Sequence, residues 1–436
     1  MAIALTGFFI LLLLILLRMP IAFAMGMVGF CGFWYLRGLN PAIATVGERF
    51  FSTVLSLELS VLPMFVLMGN LVARAGVAHE LYAAAQTFLG HRRGGLAMAT
   101  VVACGGFSAV CGSSLATAAT MANVAMPSMR KFGYRDSLAT ASIAAGGTLG
   151  ILIPPSVIMV IYGLMTETSI NQLFAAGFLP GLIGIVFYMA AVQWAVWRDP
   201  AAGPQGERYS WRERLQALKG VWTALVLFVV VLGGIYGDVF TSTEAAGIGA
   251  GGAFVIALLR GVDMRAIYDI AVESARTSAV LFFILIGALV FSNFINAAGL
   301  PEGLLALVTG TGTSPMMVIF IILVIFIILG CVLESLSMIL LMVPIFFPVV
   351  AGLDLGIPSK WVLVWFGIIV VMVTEISLIT PPVGLNVYVL SSVLPDVSTT
   401  TIFRGMLPFI TVDILRLVLF VAVPWISLVL PQLFYG

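Results

Sequence analysis

Long apolar runs follow one another along the chain, and polar or charged residues are confined to the short intervals between them. Taken at helical length, the runs predict helices over 3–36 (kinked at Arg18-Met19-Pro20), 50–73, 136–164, 172–197, 220–240, 243–259, 267–296, 361–391 and 405–430. Two further apolar stretches, 94–129 and 315–350, do not read as simple spans. Between Arg74 and Arg93 lies a mixed segment expected to form an amphipathic helix at the interface, with 297–312 as its short counterpart.

Composition sharpens this. The 436 residues are 61% hydrophobic and 9% charged, with a mean hydropathy of +1.17. Soluble domains carry roughly 25% charged residues, so the remaining solvent has to be membrane lipid. At about 20 residues per span, the length allows on the order of a dozen crossings. The runs are too continuous for an outer-membrane barrel, whose strands alternate. With a net charge of +1, no nucleic-acid partner is expected. The four cysteines are scattered in apolar segments and read as small buried residues. The two histidines, His79 and His91, lie outside the core segments. Phosphate-loop, H-E-x-x-H and G-x-S-x-G sequences are all missing, which argues against an ATP-driven pump and against an enzyme. The apolar N-terminus reads as a first membrane helix and not as a removed signal.

Lysine and arginine set the orientation. They cluster at Arg74, Arg92–Arg93, Arg130–Lys131–Arg135, Arg198 through Lys219, Arg260–Arg265–Arg276 and Arg404, which assigns these positions to the cytoplasm. Loops 165–171, 238–244 and 297–314 hold neither residue and are assigned to the outside. Stretch 94–129 therefore begins and ends on the same side. Each arm has ~15 residues, or ~23 Å, short of a ~30 Å hydrocarbon core. Its middle, GGFSAVCGSSLAT, is small and polar. The expectation is a re-entrant hairpin, with a short two-helix crossing as the alternative. Stretch 315–350 has the same design, with its polar break at Glu334-Ser335-Leu336-Ser337. Five crossings are expected between the hairpins, so the second enters from the opposite face.

A helix interrupted by two prolines follows each hairpin: GGTLGILIPPS at 146–156 and SLITPPVGLN at 377–386. Proline removes a backbone donor and clashes with the carbonyl one turn back, costing ~3 kcal/mol or more inside a helix. The likeness continues through FAAGFLP (174–180) and FRGMLP (403–408). The fold class expected is an all-α polytopic membrane protein, an inverted-topology repeat with two re-entrant hairpins and two Pro-Pro-broken helices. Such repeats are the construction of secondary transporters. Freed carbonyls suit a small dehydrated cation and half-helix N-termini suit an anion, a mechanism for ion-coupled uptake of an organic acid. The expected division is 1–93 (scaffold and arm helix), 94–200 (first transport repeat), 201–314 (linker, scaffold helices and second arm), 315–404 (second transport repeat) and 405–436 (C-terminal helix).

The runs GGTLGILIPPSVIMVIYG (146–163), CGSSLATAAT (111–120) and LITPPVGLNVYVL (378–390) resemble the large membrane subunit of TRAP (tripartite ATP-independent periplasmic) transporters, over nearly the whole chain. The resemblance implies a Na⁺-driven, elevator-type, multi-pass transporter of the bacterial inner membrane. It also implies a small four-helix membrane subunit and a periplasmic substrate-binding protein as partners. Implied substrates are organic acids: C4-dicarboxylates, other carboxylates or sialic acids. Carried over by residue, a first Na⁺ site uses Cys111 and Ser113 with carbonyls of Gly150, Ile153 and Pro155. The repeat implies a second at Ser377, Thr380 and Pro382, facing Glu334, Ser335 and Ser337. Ser114, Thr117, Pro154 and Asn386 are candidates for the substrate surface. Cys111 stands where the family usually has Ser, and Glu334 where Asp is more usual. Membrane-embedded serines also bond the carbonyl one turn back, and Glu58, Glu375 and Asp413 also fit interfacial or structural pairing. The alternative function is a stand-alone ion-coupled anion carrier that uses no binding protein.

Overall fold

The computed structural model describes residues 1–310 and 312–436, and among them every regular element is helical. The N-terminal run is not one kinked helix. Helices α1 (Ala2–Leu16) and α2 (Ile21–Arg37) fold back on each other, bringing Ala2 and Ile3 to one cleft with Tyr35. The reversal sits where Arg18 takes φ 66° and Pro20 caps the next helix. The expected helix 50–73 is also two pieces: α3 (Leu39–Leu55), then a 3₁₀ turn leading into α4 (Val61–Arg74), bent by 61°.

The amphipathic arm α5 (Val77–Leu89) buries Val77, Ala78, Tyr82, Ala84 and Ala85. Helices α6 (Gly95–Cys111) and α7 (Ser114–Lys131) form the first hairpin, turning at Gly112 and Ser113. The first broken helix is α8 (Asp136–Thr148), a 3₁₀ turn at Leu149–Ile151, then α9 (Val157–Thr166). Helix α10 (Ile170–Arg198) follows. Next, α11 (Trp211–Tyr236) starts well before the expected 220. Its capping box pairs the Ser210 hydroxyl with the Glu213 amide and the Glu213 carboxylate with the Ser210 amide, so half of the supposed 201–219 linker is helix. Helices α12 (Ser242–Leu259) and α13 (Met264–Ala297) lead to the short arm α14 (Leu300–Gly310). That arm matches the expected 297–312 segment apart from Thr311, which lies outside the described residues.

The second hairpin is α15 (Pro315–Gly330) and α16 (Ser335–Ala351). The second broken helix is α17 (Ser359–Ile379) and α18 (Leu385–Val393), followed by α19 (Thr399–Ala422) and α20 (Trp425–Tyr435). Both Pro-Pro bonds, 154–155 and 381–382, are cis. Among the described residues six helices are long and apolar enough to cross a membrane, seven if the bent α3–α4 pair counts as one span. Helix α17 is buried on nearly all sides, and the indole N–H of Trp365 donates to Phe420 O at 3.0 Å.

Several basic segments gather at one end of the bundle and two loops without Lys or Arg at the other, where Lys360 also lies, its Nζ donating to Tyr435 O (2.9 Å). At one end the basic segments meet: Gly94 N–H donates to Gly203 O (2.9 Å), Arg135 N–H to Ala202 O (3.0 Å), and Arg260 pairs with Glu80 (2.6 Å). Loops 165–171 and 238–244 lie together at the other, joined by Ser242 Oγ donating to Asn171 Oδ1 (2.6 Å). A cleft of about 840 Å³ opens between them.

Candidate functional site

The site begins with missing donors. Ile151 and Leu378 each have proline both three and four residues ahead, so no helical N–H reaches either carbonyl. At the first break the Ser156 hydroxyl replaces the missing donor, bonding Ile151 O at 2.6 Å while it accepts from Met159 N–H at 3.4 Å. The neighbouring Gly150 carbonyl has Pro154 four residues on, and the Ile153 N–H goes to Leu149 O instead. Gly150 O is thus left open among the described residues. At the second break the positions are exchanged. Ser377 O receives the Thr380 N–H at 3.4 Å, and Leu378 O is the open one.

The first hairpin tip closes onto the first break. A Cβ added to Gly112 would stand 2.9 Å from Pro155 O, and one on Gly150 would stand 2.9 Å from both Ser113 C and Ser113 O. Only glycines permit that approach, and Gly112 also sits at φ 64°. Helix α4 covers the tip from above, where a Cβ on Gly69 would come 2.8 Å from Cys111 O. Cys111, Ser113, Gly150 and Pro155 are therefore gathered in one place. Ile153, expected to contribute its carbonyl, lies in the same break between Gly150 and Pro155, with its side chain packed toward Gly105 on α6 and Gly181 on α10.

The second set is joined less tightly. Ser377 touches the end of α15, where a Cβ on Gly330 would meet its hydroxyl at 2.5 Å. The Ser377 hydroxyl donates to Thr374 O (2.7 Å) and that of Thr380 to Ile376 O (2.5 Å), so both side chains are committed to their own helix. Ser337 is buried with a partnerless hydroxyl, Ser335 is half-buried, and Glu334 and Pro382 are exposed.

The proposed substrate surface is lined by unmet polar groups. Among the described residues Ser114 Oγ, Thr117 Oγ1 and Asn386 Oδ1 are buried without a hydrogen-bond partner, while Asn386 Nδ2 donates to Ala144 O at 3.0 Å. Helix α18, which carries Asn386, packs against α7 and α8, and Pro154 is buried at the break itself. A buried donor or acceptor left unmet costs about 1–3 kcal/mol. Several of them beside open carbonyls make a place that fits a cation and a polar ligand. Among the described residues no three His, Cys, Asp or Glu side chains converge as a metal site, so a cation here would rest on backbone oxygen.

A second polar cluster lies deeper. Arg416 Nη2 contacts Glu375 Oε2 at 2.6 Å and Asp413 Oδ1 at 2.8 Å. The Tyr188 hydroxyl donates to Asp413 Oδ2 (2.8 Å) and stands 2.9 Å from Thr148 Oγ1. All five residues are fully buried. Sequence reading singled out Glu375 and Asp413 but passed over Arg416, Tyr188 and Thr148. The available signal was an Asp and an Arg three residues apart in an apolar helix.

Two helical hairpins, each followed by a helix broken at a double proline, define a polytopic membrane protein of the inverted-repeat transporter class. Residues 8–426 match the family described as tripartite ATP-independent periplasmic transporter, DctM component, and the chain belongs to that family as a TRAP large permease subunit. Three relatives illustrate the match. The C4-dicarboxylate TRAP transporter large permease protein DctM of Pseudomonas aeruginosa is 37% identical over 395 residues, 90% of each chain. The sialic acid TRAP transporter large permease protein SiaM of Vibrio cholerae is 31% identical, covering 96% of each. The isethionate TRAP transporter permease protein DctMQ of Oleidesulfovibrio alaskensis is 32% identical over 99% of this chain and 66% of its own. In fold, the chain is similar to the Alcanivorax borkumensis YdaH transporter, with a TM-score of 0.62 at 16% identity and 89% of each chain covered.

Proposed function

We propose that this chain is the transporting subunit of a Na⁺-coupled importer of an organic acid in the bacterial inner membrane. The acid is a C4-dicarboxylate, another carboxylate or a sialic acid, and it crosses without chemical change. One observation carries the reading: beside hairpin tips and broken helices, buried oxygens are left without donors. Gly150 O and Leu378 O are hard ligands suited to Na⁺. Ser114, Thr117 and Asn386 line the place where a carboxylate would sit next to the ion. Binding both species at one place lets the sodium gradient drive the acid.

A cavity that closes on both ligands together suits an elevator motion, in which the hairpins and broken helices (94–200 and 315–404) move as a unit past the remaining helices. A small four-helix membrane subunit covers part of the scaffold, and a periplasmic binding protein delivers the acid at the end where loops 165–171 and 238–244 meet. The longer DctMQ relative supports the first of these partners, because the match covers 66% of its length and the remaining third is additional chain.

The test is uptake into proteoliposomes holding this chain and its small subunit, with binding protein supplied outside. Uptake that needs both an inward Na⁺ gradient and the binding protein is the expected result. Equal uptake with choline in place of sodium would remove the coupling, and uptake without the binding protein would favour a stand-alone carrier.

A further inference from the structure

The five buried polar side chains repeat the symmetry of the fold. Thr148 stands six residues before Pro154, and Glu375 six before Pro381. Tyr188 stands eight residues after Pro180, and Arg416 eight after Pro408. Thr148 and Glu375 are thus equivalent positions on the two broken helices, and Tyr188 and Arg416 are equivalent positions on α10 and α19. Each half makes the same contact with different chemistry: Thr148 to Tyr188 at 2.9 Å in the first, Glu375 to Arg416 at 2.6 Å in the second. Asp413 then joins the halves. It accepts from Tyr188 at 2.8 Å, pairs with Arg416 at 2.8 Å, and the guanidinium lies 5.2 Å from the Tyr188 ring centroid.

Room for this was made at the backbone. A Cβ on Gly184 of α10 would collide with Arg416 Nη1. Burying an arginine between two carboxylates is costly unless geometry and partners are good, and such clusters are weak evidence for stability alone. Its placement is more informative. One end is the last residue of α8 before the first break, and the other lies two residues before Ser377 at the second.

We propose that Thr148, Tyr188, Asp413, Arg416 and Glu375 are positioning residues that form a strut across the repeat interface, holding the two breaks in fixed register so that a change at one is felt at the other. The inference rests on the transport reading in one respect: what the strut positions there is the pair of ion sites. Coupling between sites is reciprocal, and the strut therefore has to act in both directions.

Amide hydrogen exchange on the full chain in lipid nanodiscs tests this, since exchange reports local opening segment by segment. Glu375→Gln, a change on α17, is expected to speed exchange in 149–156 by about tenfold, a typical coupling size. Thr148→Val is expected to speed 376–385 comparably, and Thr148→Ser, which keeps the hydroxyl, to restore it. The bonds and ion pairs joining the five residues run among α8, α10, α17 and α19, and α12, which supplies none of them, is the control for general loosening. Tyr188→Phe removes only the hydroxyl at the joint and serves if a charge variant does not fold. Unchanged exchange at the remote break, or equal acceleration in α12, overturns the strut. Sodium added to wild type should slow both breaks in parallel; sodium that slows neither overturns the ion reading, while the reciprocal effects still decide the strut.

Discussion

The two double-proline breaks look alike in sequence and are finished differently in space. At the first, Ser156 turns back to fill Ile151 O, the prolines are buried, and Gly112 and Ser113 of the hairpin tip close against the loop. At the second, Leu378 O stays open, Pro381 and Pro382 are exposed, and the chain needs one more residue before its helix resumes. Ser156 is the N-cap of α9, whereas α18 is capped by Gly384 at φ 61°, which has no side chain to offer. A duplicated motif therefore leaves one open oxygen per copy but at neighbouring positions, Gly150 in the first and Leu378 in the second. The first break is largely enclosed by protein, and the second is more exposed.

The largest effect tests what the breaks share. Pro154→Ala with Pro155→Ala restores two backbone donors and lets the helix close its own ladder. Sodium-dependent uptake in proteoliposomes should fall to the level of empty vesicles, and Pro381→Ala with Pro382→Ala should do the same. Retained uptake in either pair would mean that the break is not where transport happens. The next test separates the copies. Gly112→Ala meets a left-handed backbone, about 1–2 kcal/mol for a residue with a Cβ, and a Pro155 oxygen 2.9 Å away that belongs to fixed backbone. A loss of about 3 kcal/mol is expected in thermal unfolding. Gly384→Ala meets the same backbone cost, but its nearest neighbour is the movable Phe403 ring at 3.0 Å, and only about 1–2 kcal/mol should be lost. Equal losses would erase the distinction between a closed and an open break.

Much of this could be read from residues because it follows from covalent structure. Proline has no N–H wherever it sits, so Pro154-Pro155 and Pro381-Pro382 announce freed carbonyls before any fold is known. Same-side basic clusters around 94–129, with a small polar middle, likewise point to two helices joined by a turn, and α6 and α7 turn at Gly112 and Ser113. What escaped depends on single backbone or tertiary choices. The reversal between α1 and α2 hinges on a left-handed Arg18, which hydropathy does not register. The early start of α11 had a visible signature in Ser210 and Glu213, hidden by the polarity of its first turns. Leu378 escapes because the repeat sets Ser377, Thr380 and Pro382 opposite Gly150, Ile153 and Pro155, whereas the Thr380 N–H fills Ser377 O and moves the open oxygen one residue on. The Arg416 cluster could be assembled only when α8, α10, α17 and α19 were seen to meet.

Smaller changes address the open oxygens themselves. Ser156→Ala takes the hydroxyl from Ile151 O and leaves a buried acceptor unmet, a loss of about 1–3 kcal/mol. If a cation is available to the emptied position, sodium should recover part of that loss, and unfolding in sodium against choline measures how much.

The converse change is the most delicate. Val383 is half-buried just past the second pair of prolines, and Val383→Thr adds a hydroxyl in nearly the same shape. Directed at Leu378 O, it would supply the donor that Ser156 supplies in the first copy, a gain of about 1 kcal/mol in choline. In sodium the gain should shrink, because protein and ion would compete for one oxygen, and the sodium concentration for half-maximal uptake should rise. A gain of equal size in both salts would mean that no ion visits Leu378 O. In that case the contrast between the breaks would be one of packing and not of ligand binding.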